Sequence, residues 1–163
     1  MKKGVIEMQV LKEANPEIKI TTEKVVDPKE YFQKRTGLYV WGSFKENVLP
    51  KAEIVKVGTA YTLESFDLIE DTYDKQIEQS LGNKNVFSES DACAIVAHLI
   101  DQQPEGKEGV LLTNGYANLF YTPTCVISVY WYGGGWYVSG WGRGDDAWLE
   151  GYRVFSPQLT LEV

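Results

Sequence analysis

The segment 125–141 reads Cys-Val-Ile-Ser-Val-Tyr-Trp-Tyr-Gly-Gly-Gly-Trp-Tyr-Val-Ser-Gly-Trp, two runs of β-branched and aromatic residues around three glycines. Such runs fit a pleated surface, and glycine turns the chain where positive φ is needed, so an antiparallel hairpin is predicted. If all three glycines form the loop, Tyr132 pairs with Trp136, Tyr130 with Val138 and Ser128 with Gly140. One face is then Tyr130, Tyr132, Trp136 and Val138. The other is Cys125, Ile127, Val129, Trp131, Tyr137 and Trp141, and this more apolar set is predicted to pack on a helix. Both faces are aromatic. A sheet covered on both sides is the plain expectation; an exposed platform of Tyr and Trp is the functional one, because these residues combine area, stiffness and a polar tip.

The helix to pack there is predicted at about 88–103. Ser88 supplies a hydroxyl cap, Glu89 and Asp91 complement the helix dipole, and Ala92, Cys93, Ile95, Val96, Leu99 and Ile100 share one arc of a 3.6-residue period. Pro104, Gly106 and Gly109 end it. Before it, 5–11 and 18–26 read as strands joined around Asn15-Pro16. Asp27-Pro28-Lys29-Glu30 reads as a capped helix start stopped by Gly37. Strands are predicted at 38–44 and 52–61, with a turn at Lys45-Glu46-Asn47 between them. A short helix is predicted at 72–81, closed by Gly82-Asn83. After it, 110–113, Asn114-Gly115 and 116–122 form the strongest hairpin signal, and 152–155 gives a last strand. The reading is an α+β fold, with an antiparallel meander in the C-terminal third packed on one amphipathic helix. With 163 residues and no linker-like tract, a single domain over 1–163 is expected, with subregions at about 1–70 and 71–157.

Charge narrows the partners. The net charge is −7, and residues 82–163 hold 4 basic against 9 acidic side chains, together with four of the five tryptophans. A broad phosphate-binding surface is disfavoured, nucleic acid with it, since that half offers only Lys84, Lys107, Arg143 and Arg153. No apolar h-region follows Lys2 and Lys3, and no run approaches 18 apolar residues, so neither a signal peptide nor a membrane span is expected. Cys93 and Cys125 read as buried free thiols, which points to a reducing, cytoplasmic setting.

Chemistry-bearing groups are sparse. Gly140-Trp141-Gly142-Arg143-Gly144-Asp145-Asp146-Ala147-Trp148 is the densest polar-aromatic stretch. Arg143, Asp145 and Asp146 can orient a ligand between indoles, and the plainer alternative is a turn that Trp148 anchors to the core. His98, the one histidine, lies opposite the apolar arc near Asp91 and Asp101, where a carboxylate would hold it as an acid or base. No nucleophile stands beside it in sequence. One His and two separated Cys make no zinc set, Asp145-Asp146 lacks the spaced ligands of a calcium loop, and the triple glycine lacks the Lys and Ser/Thr of a phosphate loop. No cofactor and no metal are expected.

The pattern Gly115-Tyr116-Ala117-Asn118-Leu119-Phe120-Tyr121, the Trp-rich hairpin, then Trp148 and Gly151-Tyr152-Arg153-Val154-Phe155-Ser156 resembles small bacterial and phage-type proteins ending in an Arg-Val-Phe-Ser strand. It covers 115–157. The resemblance implies a bacterial or mobile-element source and brings no activity, cofactor or site residue. From the residues, the leading expectation is a non-enzymatic protein-interaction module, an accessory or inhibitory protein meeting a basic partner through Tyr130, Tyr132, Trp136, Trp141, Arg143, Asp145, Asp146 and Trp148. The alternative is a small-ligand or carbohydrate-binding module stacking its ligand on Trp136, Trp141 and Trp148, which requires a concave pocket. A third is an enzyme using His98.

Overall fold

A computed structural model describes residues 10–82, 86–144 and 146–158. The predicted central helix is α4, Glu89–Gln102, and the Ser88 hydroxyl accepts from the Asp91 N–H at 3.0 Å. Its apolar arc is buried throughout, and Ala94 and Ala97 are buried beside it. Each fully buried Ile or Leu in that stripe contributes about 1.5–3 kcal/mol. Three other helices are shorter: α1, Pro28–Tyr31, capped by Asp27; α2, Gly42–Asn47; and α3, Asp74–Leu81, ended by Gly82. None of these described helices is long and apolar enough to cross a membrane.

Seven strands form one mixed sheet in the order β1-β3-β9-β5-β6-β7-β2. They are β1 (Leu11–Thr21), β2 (Leu38–Val40), β3 (Ala60–Leu68), β5 (Asn118–Tyr121), β6 (Cys125–Tyr132), β7 (Gly135–Gly142) and β9 (Arg153–Pro157). A two-stranded ribbon pairs β4 (Thr72–Tyr73) with β8 (Ala147–Trp148). The α+β reading holds, and β5-β6-β7 is the antiparallel meander under α4. The mixed character comes from β9, parallel to β5, and β2, parallel to β7.

Alternation on the strands sorts two cores. Facing α4 are Leu63, Phe120, Ile127, Val129, Trp136, Val138 and Phe155, with the Phe120 and Phe155 rings stacked at 4.6 Å. The opposite face carries Phe66, Leu68, Leu119, Tyr121, Val126 and Val154, covered by Ile77 and Leu81 of α3 and by Trp148 of β8. Cys93 and Cys125 are buried free thiols, and burial pushes the Cys93 thiol well up from its usual range.

Several local expectations are corrected. Asn15-Pro16 is an irregularity inside one long edge strand, where the Asn15 side chain accepts from the Ser65 hydroxyl at 2.7 Å; the part of the predicted strand at 5–9 lies outside the described residues, as does Asn83. Proline is tolerated there because β1 is an edge. The strand predicted at 52–61 begins only at Ala60 and runs to Leu68. Its charges hid it: Asp67 faces Arg153 of β9, which grips both carboxylate oxygens at 2.7 and 3.2 Å. Residues 110–113 are not a strand. Gln103 clamps Leu111 through its side-chain amide, and Asn118 engages Leu112 N–H and C=O at 2.8 and 3.3 Å, so side-chain amides replace a ladder. The Asn114 side chain caps Tyr116 N–H, and only Gly115 of the turn pair takes positive φ, so no type I′ hairpin forms. The strand predicted at 38–44 stops at Val40, and the expected turn Lys45-Glu46-Asn47 lies in α2. There the side chains of Ser43 and Asn47 satisfy the N–H and C=O of Gly140 at 3.1 and 2.9 Å, closing the β7 edge in place of a strand.

Candidate functional site

The triple glycine makes a two-residue turn rather than a three-residue one. Gly133 and Gly134 take φ of 58° and 88°, and Tyr132 pairs with Gly135, Trp131 with Trp136, Tyr130 with Tyr137 and Ser128 with Ser139. A slip of one residue turns every β7 side chain to the other face. Trp136 and Val138 therefore join Cys125, Ile127, Val129 and Trp131 on the α4 side, while Tyr137 and Trp141 join Tyr130 and Tyr132 on the far side. Trp136 is 2 % exposed, its indole N–H donating to Gln103 C=O at 3.1 Å, so it belongs to the core and not to a platform.

The far face over β6, β7 and β2 is not covered by α3, and its aromatics meet solvent. Tyr39 and Tyr130 stack on either side of Tyr137 at 4.8 and 5.1 Å, with Tyr132 edge-on at 6.4 Å. Two rows further along the hairpin stands Trp141, 49 % exposed, near Trp41, 52 % exposed. Rows two apart on the same face lie roughly 13 Å from each other. Between them is the small-residue pair Ser128 and Ser139, directly opposed in the ladder. Large rings around two serines make a depression of about 470 Å³, walled by Trp41, Trp141, Trp148, Tyr130 and Tyr152. That volume lies in the range of small-ligand pockets, roughly 300–1,000 Å³.

The wall formed by Trp148 is fixed from behind. Its indole N–H donates to Asp74 Oδ1 at 2.6 Å, the Tyr121 hydroxyl donates to the same oxygen at 2.6 Å, and Gly144 N–H donates to Oδ2 at 3.1 Å. Asp74 is fully buried at the start of α3, and its own N–H donates to Asp146 C=O at 3.0 Å. This carboxylate therefore fastens both ends of the loop between β7 and β8 to the covering helix. Burial and the neighbouring Asp74 push the Tyr121 phenol far above its ordinary range. Burial likewise raises Tyr152, with smaller contributions from Tyr116 and Tyr130, so that wall is a neutral phenol.

Of the predicted binding residues, Tyr130, Trp141 and Trp148 line the depression and Tyr132 lies exposed beyond it. Arg143 turns away, pairing with Glu78 at 3.0 Å and donating to Thr122 C=O at 2.8 Å. Asp146 contributes through its backbone to Asp74 and does not line the depression; Asp145 and Lys84 lie outside the described residues. Trp41, Tyr152, Ser128, Ser139 and Asp74 were missed. Their one sequence signal was a small serine in each strand of the hairpin, Ser139 two residues from both Tyr137 and Trp141.

His98 is half-buried and lines a different cleft, of about 720 Å³, with Asp27, Glu30, Tyr31 and Asp101. The two carboxylates expected to orient it are engaged elsewhere: Asp91 accepts from the Tyr61 hydroxyl at 2.7 Å and Asp101 from the Tyr31 hydroxyl at 2.9 Å. Both phenols are thereby held protonated, burial being the larger cause. Among the described residues no group of three or more His, Cys, Asp or Glu is placed to hold a metal ion. Comparison with protein-family models, curated proteins and solved structures found no match to this chain.

Proposed function

We propose that this chain is a non-enzymatic binding module whose site is the aromatic depression on the open half of the sheet, and that it takes a small ring-shaped ligand. The observation that carries the reading is the concavity itself: three indoles and two phenols surround a floor of two serines, on a rigid hairpin with a fixed back wall. Flat rings bury large area at small entropic cost, which suits stacking of a ligand face. The His98 cleft supports catalysis less well, because Asp91 and Asp101, the carboxylates expected to orient His98, accept tyrosine hydroxyls instead.

Tryptophan fluorescence tests this directly. Titration with neutral pyranosides, tetramethylammonium and indole is expected to give a saturable change for at least one probe, lost in Trp41→Ala and Trp141→Ala. A flat response to all three classes sinks the reading.

A second reading, docking of a basic protein partner by an accessory or inhibitory protein, is favoured by the stacked row Tyr39-Tyr137-Tyr130 continuing to the exposed Tyr132, together with the net charge of −7. It predicts that Tyr132→Ala and Tyr39→Ala abolish capture of a partner while Trp41→Ala does not.

A further inference from the structure

Two features of the depression narrow its occupant. Among the described residues no charged side chain lines it. An anion seated there would lose water with no counter-charge and would meet the negative faces of the rings, which is costly. The second feature is its floor. Ser128 and Ser139 are 3 % and 4 % exposed, and among the described residues neither hydroxyl has a hydrogen-bond partner. Buried hydroxyls are rarely left so, since an unmade hydrogen bond forfeits the desolvation already incurred.

Opposed residues on one sheet face hold their Cβ atoms roughly 5 Å apart. Each hydroxyl both donates and accepts, and two of them side by side match groups that do the same on adjacent ring atoms. A quaternary ammonium or a bare aromatic ring would fill the aromatic walls and leave both serines unsatisfied. A heteroaromatic edge offers donors and acceptors in a fixed pattern. Vicinal hydroxyls on a saturated ring rotate to suit both serines, and the C–H face of such a ring stacks on indole. We infer that the site takes a neutral saccharide, one pyranose ring against the Trp141 and Trp148 walls with two neighbouring hydroxyls held by Ser128 and Ser139. The inference rests on the depression being the binding site.

The test uses the full chain and a panel of neutral glucosides, galactosides, mannosides and N-acetylglucosaminides, with glucuronate, tetramethylammonium and indole as contrasts. Binding is read by tryptophan fluorescence and by saturation-transfer NMR. At least one neutral saccharide is expected to bind, more tightly than glucuronate, and the Ser128→Ala/Ser139→Ala double variant is expected to weaken it about 10–30-fold, as loss of two neutral hydrogen bonds implies. Because the hydroxyls make no bond within the described chain, the double variant keeps or raises its melting temperature. Saccharide binding unchanged in the double variant overturns the inference, as does stronger binding of glucuronate. Binding of tetramethylammonium or indole alone, lost in Trp141→Ala, overturns the saccharide and leaves the aromatic site standing. Silence from every probe overturns both.

Discussion

One face of the sheet is built in two ways. Over β3, β9, β5 and the start of β6 it carries Phe66, Leu68, Leu119, Tyr121, Val126 and Val154 and is sealed by α3; over the rest of β6, β7 and β2 it carries Tyr130, Tyr132, Tyr137, Tyr39 and Trp141 and is left open. Both halves belong to one continuous pleated sheet, so the difference lies in the side chains. Aliphatic residues and Phe have no use for water and call for a lid. Tyr and Trp keep a polar tip and tolerate half-exposure. Trp148 stands at the seam: it belongs to the sealed core and also walls the open depression.

If that division is right, stability and binding separate along it. The largest effect is expected at Asp74→Ala, which strands the buried donors of Tyr121 and Trp148 and frees the Gly144 N–H; a loss on the order of 4 kcal/mol should appear in urea denaturation, with Asp74→Asn recovering part. Ile77→Ala, in the lid, should cost about 3 kcal/mol in the same measurement while leaving the fluorescence of Trp141 near its original value. A small loss at Ile77 would mean the lid contributes little and the two halves differ less than they look.

Alkali offers a third handle. The folded state holds the Tyr121 proton more tightly than the unfolded chain does, so its contribution is complete below about pH 10, the ordinary phenol value. Above that, the unfolded chain releases the proton first, and stability falls by up to about 1.4 kcal/mol per pH unit for this group. Denaturation midpoints between pH 9 and 12 should show a shallower decline in Tyr121→Phe. An unchanged slope would place the alkaline sensitivity in Tyr31 and Tyr61 on the other side of the sheet. Smallest in stability is Trp141→Ala, expected within about 0.5 kcal/mol of the parent because the indole is half in water, yet with loss of ligand response. A large destabilisation there would make Trp141 a structural residue and erase the contrast.

How far the sequence discloses this depends on whether the deciding contact is local. The cap at Ser88 and the arc from Ala92 to Ile100 are local, and α4 follows them closely. The hairpin strands are local too, but three glycines permit two turn lengths, and the choice rests on Trp136 reaching Gln103 thirty-three residues earlier. One residue of slip moved Trp136 inside and Trp141 out. The missed strand of β3 is explained by a partner 86 residues distant, Arg153, which neutralises the aspartate that disguised it. The site shows the same pattern: Tyr130, Trp141 and Trp148 could be nominated from composition, whereas Trp41 and Tyr152 arrive from other strands' ends, and Ser128 and Ser139 draw notice only once they face each other.

The place of β9 has a consequence for the order of events in folding. It is the last described strand of the chain, and it lies between β3 and β5. Until it arrives, β1-β3 and β5-β6-β7 are separate fragments, each with an unpaired inner edge. Closing them requires contacts across some ninety residues, which slows assembly and prolongs the life of sticky intermediates. A nascent chain emerging from the ribosome would thus carry two half-sheets awaiting a keystone, and a few residues around Val154 and Phe155 decide when they become one.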